Sequence, residues 1–350
     1  MTLSEMTETA PSPPHSLDSS VVSRLDPEYL DFFQKNVAYQ TKLLYTYLYP
    51  VDVLRKAGNV MPGQSPLANL KSYDEQVPRK YTKEHGDSPV SVRIFVPNGE
   101  APEGGWPCTV WFHGGGWVLG NITTENSYCS HMAELAKCVV VSVDYRLAPE
   151  FPFPACIHDG YEAVIWAVEN AQKLGINNSK IAIGGSSAGG NITAILCHIF
   201  ASDSKVKIPP IVYQLLIVPV CDNTADVDSH LSWKEFEHTP QLPRLKMLWY
   251  RNHYLPNKQD WTNPVASPIF YPDESFKNVP PAFVAVAECD VLRTEGELYA
   301  KKIRDAGVES TLVIYPGVPH PVMAMDEVLT QGKVLLQDTT SAVRKAFYGE

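Results

Sequence analysis

Residues 181–191 read Ile-Ala-Ile-Gly-Gly-Ser-Ser-Ala-Gly-Gly-Asn, and no other stretch limits the possible folds as much. The apolar run over 180–184 reads as a strand, and the run from Asn191 to about residue 201 reads as a helix. Between them, Gly185-Ser186-Ser187-Ala188-Gly189 fits G-x-S-x-G, a strand-to-helix turn in which glycines let the backbone fold back on itself. Such a turn lifts the middle serine above a sheet. It also aims the next residue's amide, and the positive end of the helix, into the same space. Ser187 is therefore the candidate nucleophile.

Strand and helix signals alternate on both sides of this turn. Strands are expected at about 77–82, 90–96, 109–112, 138–143, 211–218, 283–287 and 311–315. Helices are expected at 127–136, 159–174, 295–306 and 324–347. Continuous apolar strands alternating with helices predict a mostly parallel sheet covered on both faces. Two regions break the alternation. One is helical and rich in tyrosine, with Tyr29, Tyr39, Tyr45, Tyr47 and Tyr49 crowded into 27–49, and a second short helix over 51–57. The other, about 222–270, holds Trp233, Phe236, Leu248, Trp249, Tyr250 and Trp261. Both are expected to close over the strand ends as a cap, with most of the aromatics forming the cap's own core. The expected organisation is a disordered tail over 1–20, an N-terminal cap segment over 21–60, and a catalytic-type α/β domain over 61–350 that carries the second cap segment as an insert.

The 350 residues suffice for one large domain, and the 44% hydrophobic and 19% charged content is ordinary for a globular chain. A net charge of -10 with no basic run argues against nucleic acid or anionic membranes as partners. No stretch of about 18 apolar residues occurs, so no membrane span is expected. The seven cysteines are scattered and odd in number, which reads as free buried thiols in a reducing compartment. Sequons at Asn121, Asn177 and Asn191 stand partly where a glycan would collide with the candidate site. A cytoplasmic location is expected.

A serine nucleophile needs a base, a group to orient that base, and donors for an oxyanion. His113-Gly114-Gly115-Gly116-Trp117 follows an early strand and offers backbone amides at close range. Among ten histidines, His320 alone follows the last strand, so it is the candidate base; His113 suits a structural hydrogen bond better. The orienting acid should follow the penultimate strand, where Glu288 and Asp290 both qualify. Asp290 lies further beyond the strand and is preferred. Asp226, Asp228 and His230 alternate, but no further ligand cluster supports a metal there.

Four segments together are similar to the hormone-sensitive-lipase-like carboxylesterases of the α/β-hydrolase fold: His113 to Trp117, Asp144-Tyr145-Arg146-Leu147-Ala148-Pro149-Glu150, Gly185 to Gly190, and Asp290-Val291-Leu292-Arg293. The resemblance runs from about residue 75 to the end. It implies Ser187, Asp290 and His320 as a catalytic triad, and the amides of Gly115, Gly116 and Ala188 as an oxyanion hole. It implies no metal and no organic cofactor, an architectural role for 144–150, and a helical cap. Ser186 stands where the family often has Asp, and His320 lies between Pro319 and Pro321. Trp117 and Ser186 are expected to contact substrate. The expected function is hydrolysis of short- to medium-chain or small-molecule carboxylic esters by a monomer or homodimer. Acyl transfer or lactone opening would use the same triad, and a non-catalytic binding protein would have lost part of it.

Overall fold

The computed structural model describes residues 15–38, 46–57, 62–83, 86–203 and 205–349. The first fourteen residues of the expected tail, and Tyr39 and Tyr45 of the tyrosine-rich region, lie outside them.

Eight strands form one sheet: β1 (Lys71–Val77), β2 (Val90–Val96), β3 (Trp106–Phe112), β4 (Val139–Asp144), β5 (Ile176–Ser186), β6 (Tyr213–Ile217), β7 (Ala282–Cys289) and β8 (Ser310–Pro319). Their order is β1-β2-β4-β3-β5-β6-β7-β8. The β1–β2 and β2–β4 pairs are antiparallel and the remaining pairs parallel. Side chains alternate across the sheet because successive Cβ atoms point to opposite faces. Val110 and Phe112 of β3 pack with Ile157, Ile192 and Ile195 on one face, while Trp111 between them packs with Tyr128, Met132 and Leu335 on the other. Those partners come from α4 (Asn126–Ala136), α5 (Ala155–Glu169), α7 (Ala188–Ser202) and the last helix, α11 (Thr330–Tyr348). Burying each large apolar side chain in these layers is worth about 1.5–3 kcal/mol.

The antiparallel edge strand differs from the sequence expectation. Residues 78–82 are not its body: β1 ends at Val77, before Pro78, which has no N–H to give to a ladder. The amides of Lys80, Tyr81 and Thr82 donate instead to one oxygen of Glu162 at 3.0, 2.7 and 2.6 Å. Arg79 is buried beside Asp159 at 2.5 Å. True β1 is polar and mostly exposed, so it carries no apolar signal.

A short helix, α1 (Ser19–Val22), begins in the last two residues of the span expected to be tail and runs into the expected cap segment. Asp18 caps it by accepting from Ser20 N–H at 2.9 Å. Next comes α2 (Pro27–Asn36), with Pro at its first position and Asp26 as cap. It ends well before residue 49. Val21, Leu25, Tyr29 and Phe33 enter the same apolar cluster as Phe236 of the insert and Tyr315 and Val318 of β8. A third helix, α3 (Val51–Ala57), sends Arg55 to the carbonyls of Val118 and Ala148 at 3.0 and 2.8 Å and to Glu150 at 2.9 Å. The insert contributes α8 (Leu231–Glu235) and α9 (Arg244–Tyr254); α6 (Ala171–Leu174) leads into β5, and α10 (Arg293–Asp305) lies between β7 and β8. Among the described residues, no helix is long and apolar enough to cross a membrane.

Candidate active site

The turn between β5 and α7 holds Ser187 at φ 53° and ψ -115°, a left-handed conformation that costs a non-glycine residue strain of order 1–3 kcal/mol. Neighbouring hydrogen bonds fix it there. Ser187 N–H donates to Ile217 O at 2.8 Å, and its carbonyl accepts from Asn191 N–H at 3.0 Å. The turn also presses against the end of β3: a Cβ on Gly189 would stand 1.9 Å from Phe112 O, so only glycine fits.

The side chains of three loops converge here. Asp290 follows β7, and His320 follows β8. Asp290 Oδ2 accepts from His320 Nδ1–H at 2.6 Å, and Asp290 Oδ1 accepts from Leu292 N–H at 3.0 Å. With Nδ1 protonated, His320 Nε2 is the acceptor for Ser187 Oγ–H at 2.9 Å. Asp290 is 1% exposed, so water does not compete for its bond to the imidazole.

Glu288 has other partners. Its carboxylate takes Arg24 Nη2 at 2.8 Å and Gly317 N–H at 2.8 Å, and Asp26 N–H donates to Gly317 O at 2.7 Å. The N-terminal segment is thereby tied to the strand end that carries His320. The insert is tied to the Asp290 loop. Ser232 Oγ donates to Val291 O at 2.6 Å, and Thr239 Oγ1 donates to Cys289 O.

The glycine loop after β3 lies beside Ser187. Gly116 has φ +61°, and a Cβ there would fall 2.3 Å from the Tyr250 ring of α9. The loop is held from below. His113 stacks on Tyr145 at 4.3 Å, donates from Nδ1 to Gly114 O at 2.6 Å, and its own carbonyl accepts from Tyr145 Oη–H at 2.7 Å. Arg146 pairs with Asp159 at 2.8 Å. The 144–150 segment thus braces the glycine loop.

Two expected substrate contacts are corrected. Ser186 does not share Ser187's partners: its hydroxyl donates to Glu125 Oε1 at 2.6 Å, because consecutive side chains at a strand end point to opposite sides. Trp117 is fully buried, stacked on Tyr254 at 4.3 Å, and presents no surface to a ligand. Asp226 of the alternating acids binds Arg244 at 2.7 Å. All seven cysteines are free and buried. Asn191 is also buried, with Nδ2 donating to the carbonyls of Val220 and Ala266, so it is no glycan acceptor in the folded chain.

Sequence reading missed Glu125. This half-buried carboxylate accepts from Ser186 Oγ, from Gly114 N–H at 2.9 Å and from Trp111 Nε1–H at 2.6 Å. It joins the glycine loop to the serine turn in one polar knot. Burial pushes its carboxyl up, and those three donors oppose the shift. Its sequence neighbourhood, Thr-Thr-Glu-Asn, has no motif; the available signal was Trp111, an indole in a central strand that needs an acceptor.

Two buried histidines predict acid sensitivity. Burial lowers His113 to about 4 and His198 to about 3, against 6.5 when unfolded. Below pH 6.5 the unfolded chain takes protons that the folded chain refuses. Their stabilising contribution is therefore present above pH 6.5 and is lost as pH falls towards 4. At 1.36 kcal/mol per pKa unit, each costs roughly 2 kcal/mol between pH 7 and pH 5. The urea midpoint should fall over that interval, and fall less in His198→Gln. Equal midpoints at the two pH values in the native chain would contradict this.

The signature of the α/β-hydrolase fold family matches residues 109–324. Over 332 residues the chain is 61% identical to an AB hydrolase superfamily protein of Schizosaccharomyces pombe, covering 95% of this chain and 96% of that one. Over 325 residues it is 32% identical to the arylesterase of Saccharolobus solfataricus, covering 89% and 96%. The solved esterase of Pyrobaculum calidifontis superposes with a TM-score of 0.77 at 32% identity, covering 92% of this chain and 98% of that one. The chain belongs to the α/β-hydrolase fold, in the hormone-sensitive-lipase-like carboxylesterase family. Within that family it is a carboxylic ester hydrolase.

Proposed function

We propose that the chain is a serine esterase that cleaves short- to medium-chain or small-molecule carboxylic esters through an acyl-enzyme on Ser187. The observation that carries this reading is the continuous relay of Asp290, His320 and Ser187 at 2.6 and 2.9 Å. His320 Nε2 takes the Ser187 proton as Oγ attacks the ester carbonyl. The amides of Gly115, Gly116 and Ala188 receive the oxyanion, aided by the positive end of α7. Asp290 holds the imidazolium that forms. His320 then protonates the departing alcohol, and water attacks the acyl-enzyme by the same route in reverse. No step requires a metal or an organic cofactor.

The chain-length preference rests on the cap formed by α1–α3 and the 222–270 insert. Ser187 retains 9% of its surface, and Tyr250 lies directly against Gly116. A narrow, aromatic-walled approach admits small esters and excludes a lipid droplet. A kcat/KM series against acyl length should peak on short, soluble esters and show no jump when substrate forms an emulsion. A maximum on long-chain emulsions would refute the cap reading.

A further inference from the structure

Glu125 stands at the entry to α4, as the residue just before its first turn. A side-chain oxygen at that place can cap the helix by accepting from the free amides of the turn. Glu125 makes no such bond. Its carboxylate reaches across the fold instead. Oε2 accepts from Trp111 Nε1–H at 2.6 Å and is thereby anchored to β3. Oε1 accepts twice, from Gly114 N–H at 2.9 Å and from Ser186 Oγ–H at 2.6 Å. One oxygen thus joins the residue before Gly115 to the residue before Ser187. The joint is tight. A Cβ on Gly114 would stand 2.7 Å from Ser186 Oγ and 3.3 Å from the same Oε1, so not even a methyl group fits between loop and turn.

We propose that Glu125 is a positioning residue for catalysis, which sets the amides of the glycine loop at their working distance from Ser187. This rests on the serine esterase reading, which assigns the Gly115 and Gly116 amides to the oxyanion. An ester carbonyl binds with little charge on its oxygen, so a loosened loop costs the ground state little. Charge gathers on that oxygen in the transition state, and the donors must then stand within about 0.5 Å of their places. Glu125 touches no reacting atom, and its three partners do not include His320 or Asp290. Its loss should therefore appear in kcat, and leave KM and the pH at which the base titrates unchanged. The Ser186 hydroxyl carries less of this role. Without it the carboxylate still holds Gly114 to Trp111; without the carboxylate, all three groups are released.

Glu125→Ala and the near-isosteric Glu125→Gln test this on a soluble ester, with rates expressed per active site titrated to completion by a fluorophosphonate. A glutamine can keep its oxygen for Gly114 and Ser186, but its NH2 then faces the Trp111 N–H. kcat should fall about 100-fold in Glu125→Ala, the loss expected when donors move by about 1 Å, and about tenfold in Glu125→Gln, with KM within about threefold of native in both. A trifluoromethyl ketone supplies the second reading. It adds reversibly to Ser187 Oγ, its carbonyl oxygen becoming the oxyanion while His320 takes the serine proton. Its inhibition constant should weaken by factors similar to those in kcat, and the apparent pKa in kcat/KM should match that of the native protein. A merely structural role would lower the number of active sites and leave the inhibition constant of the remaining ones unchanged. Native kcat per active site in either variant, or an unchanged inhibition constant beside a lower kcat, overturns the inference. So does a rise in KM as large as the fall in kcat. If Glu125→Ala does not fold, Glu125→Gln decides by the same readings. Hydrolysis unaffected by Ser187→Ala would instead overturn the reading on which the inference rests.

Discussion

Ser187→Ala should lower kcat/KM for a soluble ester by about 10⁴ to 10⁶, since removing a nucleophile leaves only binding and oxyanion stabilisation. The adjacent Ser186→Ala should behave differently. Ser186 Oγ bonds to Glu125, 2.6 Å away, and Ser187 Oγ bonds to His320. Losing the Ser186 hydroxyl removes one of three donors to a half-buried carboxylate that keeps the other two, which costs about 1 kcal/mol of stability. Activity should fall by less than about tenfold, because the relay itself is untouched. The two variants are compared by kcat/KM together with urea midpoints. A Ser186→Ala enzyme that is folded and as inactive as Ser187→Ala would show that the wrong serine has been assigned.

The second large effect is expected at the acid. Asp290→Asn removes the acceptor for His320 Nδ1–H and favours the wrong imidazole tautomer, with an expected loss on the order of 10⁴ in kcat. Glu288→Gln is the informative partner. Glu288 bonds to Arg24 and Gly317, is partly exposed, and touches His320 only through the backbone of its loop. Its loss should cost less than about tenfold, of the order of one weakened charged contact. If Glu288→Gln proves the more damaging change, the relay runs through the wrong carboxylate.

The contrast between these two acids illustrates what was legible in the chain. Strand alternation puts residues 288 and 290 on one side, and only the position of 290 beyond β7 favours it. The register shift between Ala287 and Cys289 separates their surroundings. The central strands were readable because they are buried on both faces and therefore continuously apolar, as β3 and β4 are. The antiparallel edge was not, because one neighbour and one exposed face leave Lys71–Val77 polar. Residues around Ser187 and the glycine loop were legible because backbone geometry demands glycine at 189 and 116, and His320 stood out as the histidine that follows the last strand. Glu125 was not, since a carboxylate brought to Trp111, Gly114 and Ser186 by folding has no local pattern. Trp117 misled for the opposite reason. Its place beside the glycine loop suggests a pocket wall, but its stacking on Tyr254 turns it into core.

A fluorophosphonate probe tests the central claim most directly, because it forms a covalent adduct with the one serine whose oxygen the histidine has activated. Incubated with the native protein and read by peptide mass spectrometry, it should label Ser187 at one equivalent and abolish ester hydrolysis in proportion. His320→Ala should suppress the labelling. Adduct on Ser186 or on any serine outside the turn, or full activity after stoichiometric labelling of Ser187, would contradict the account.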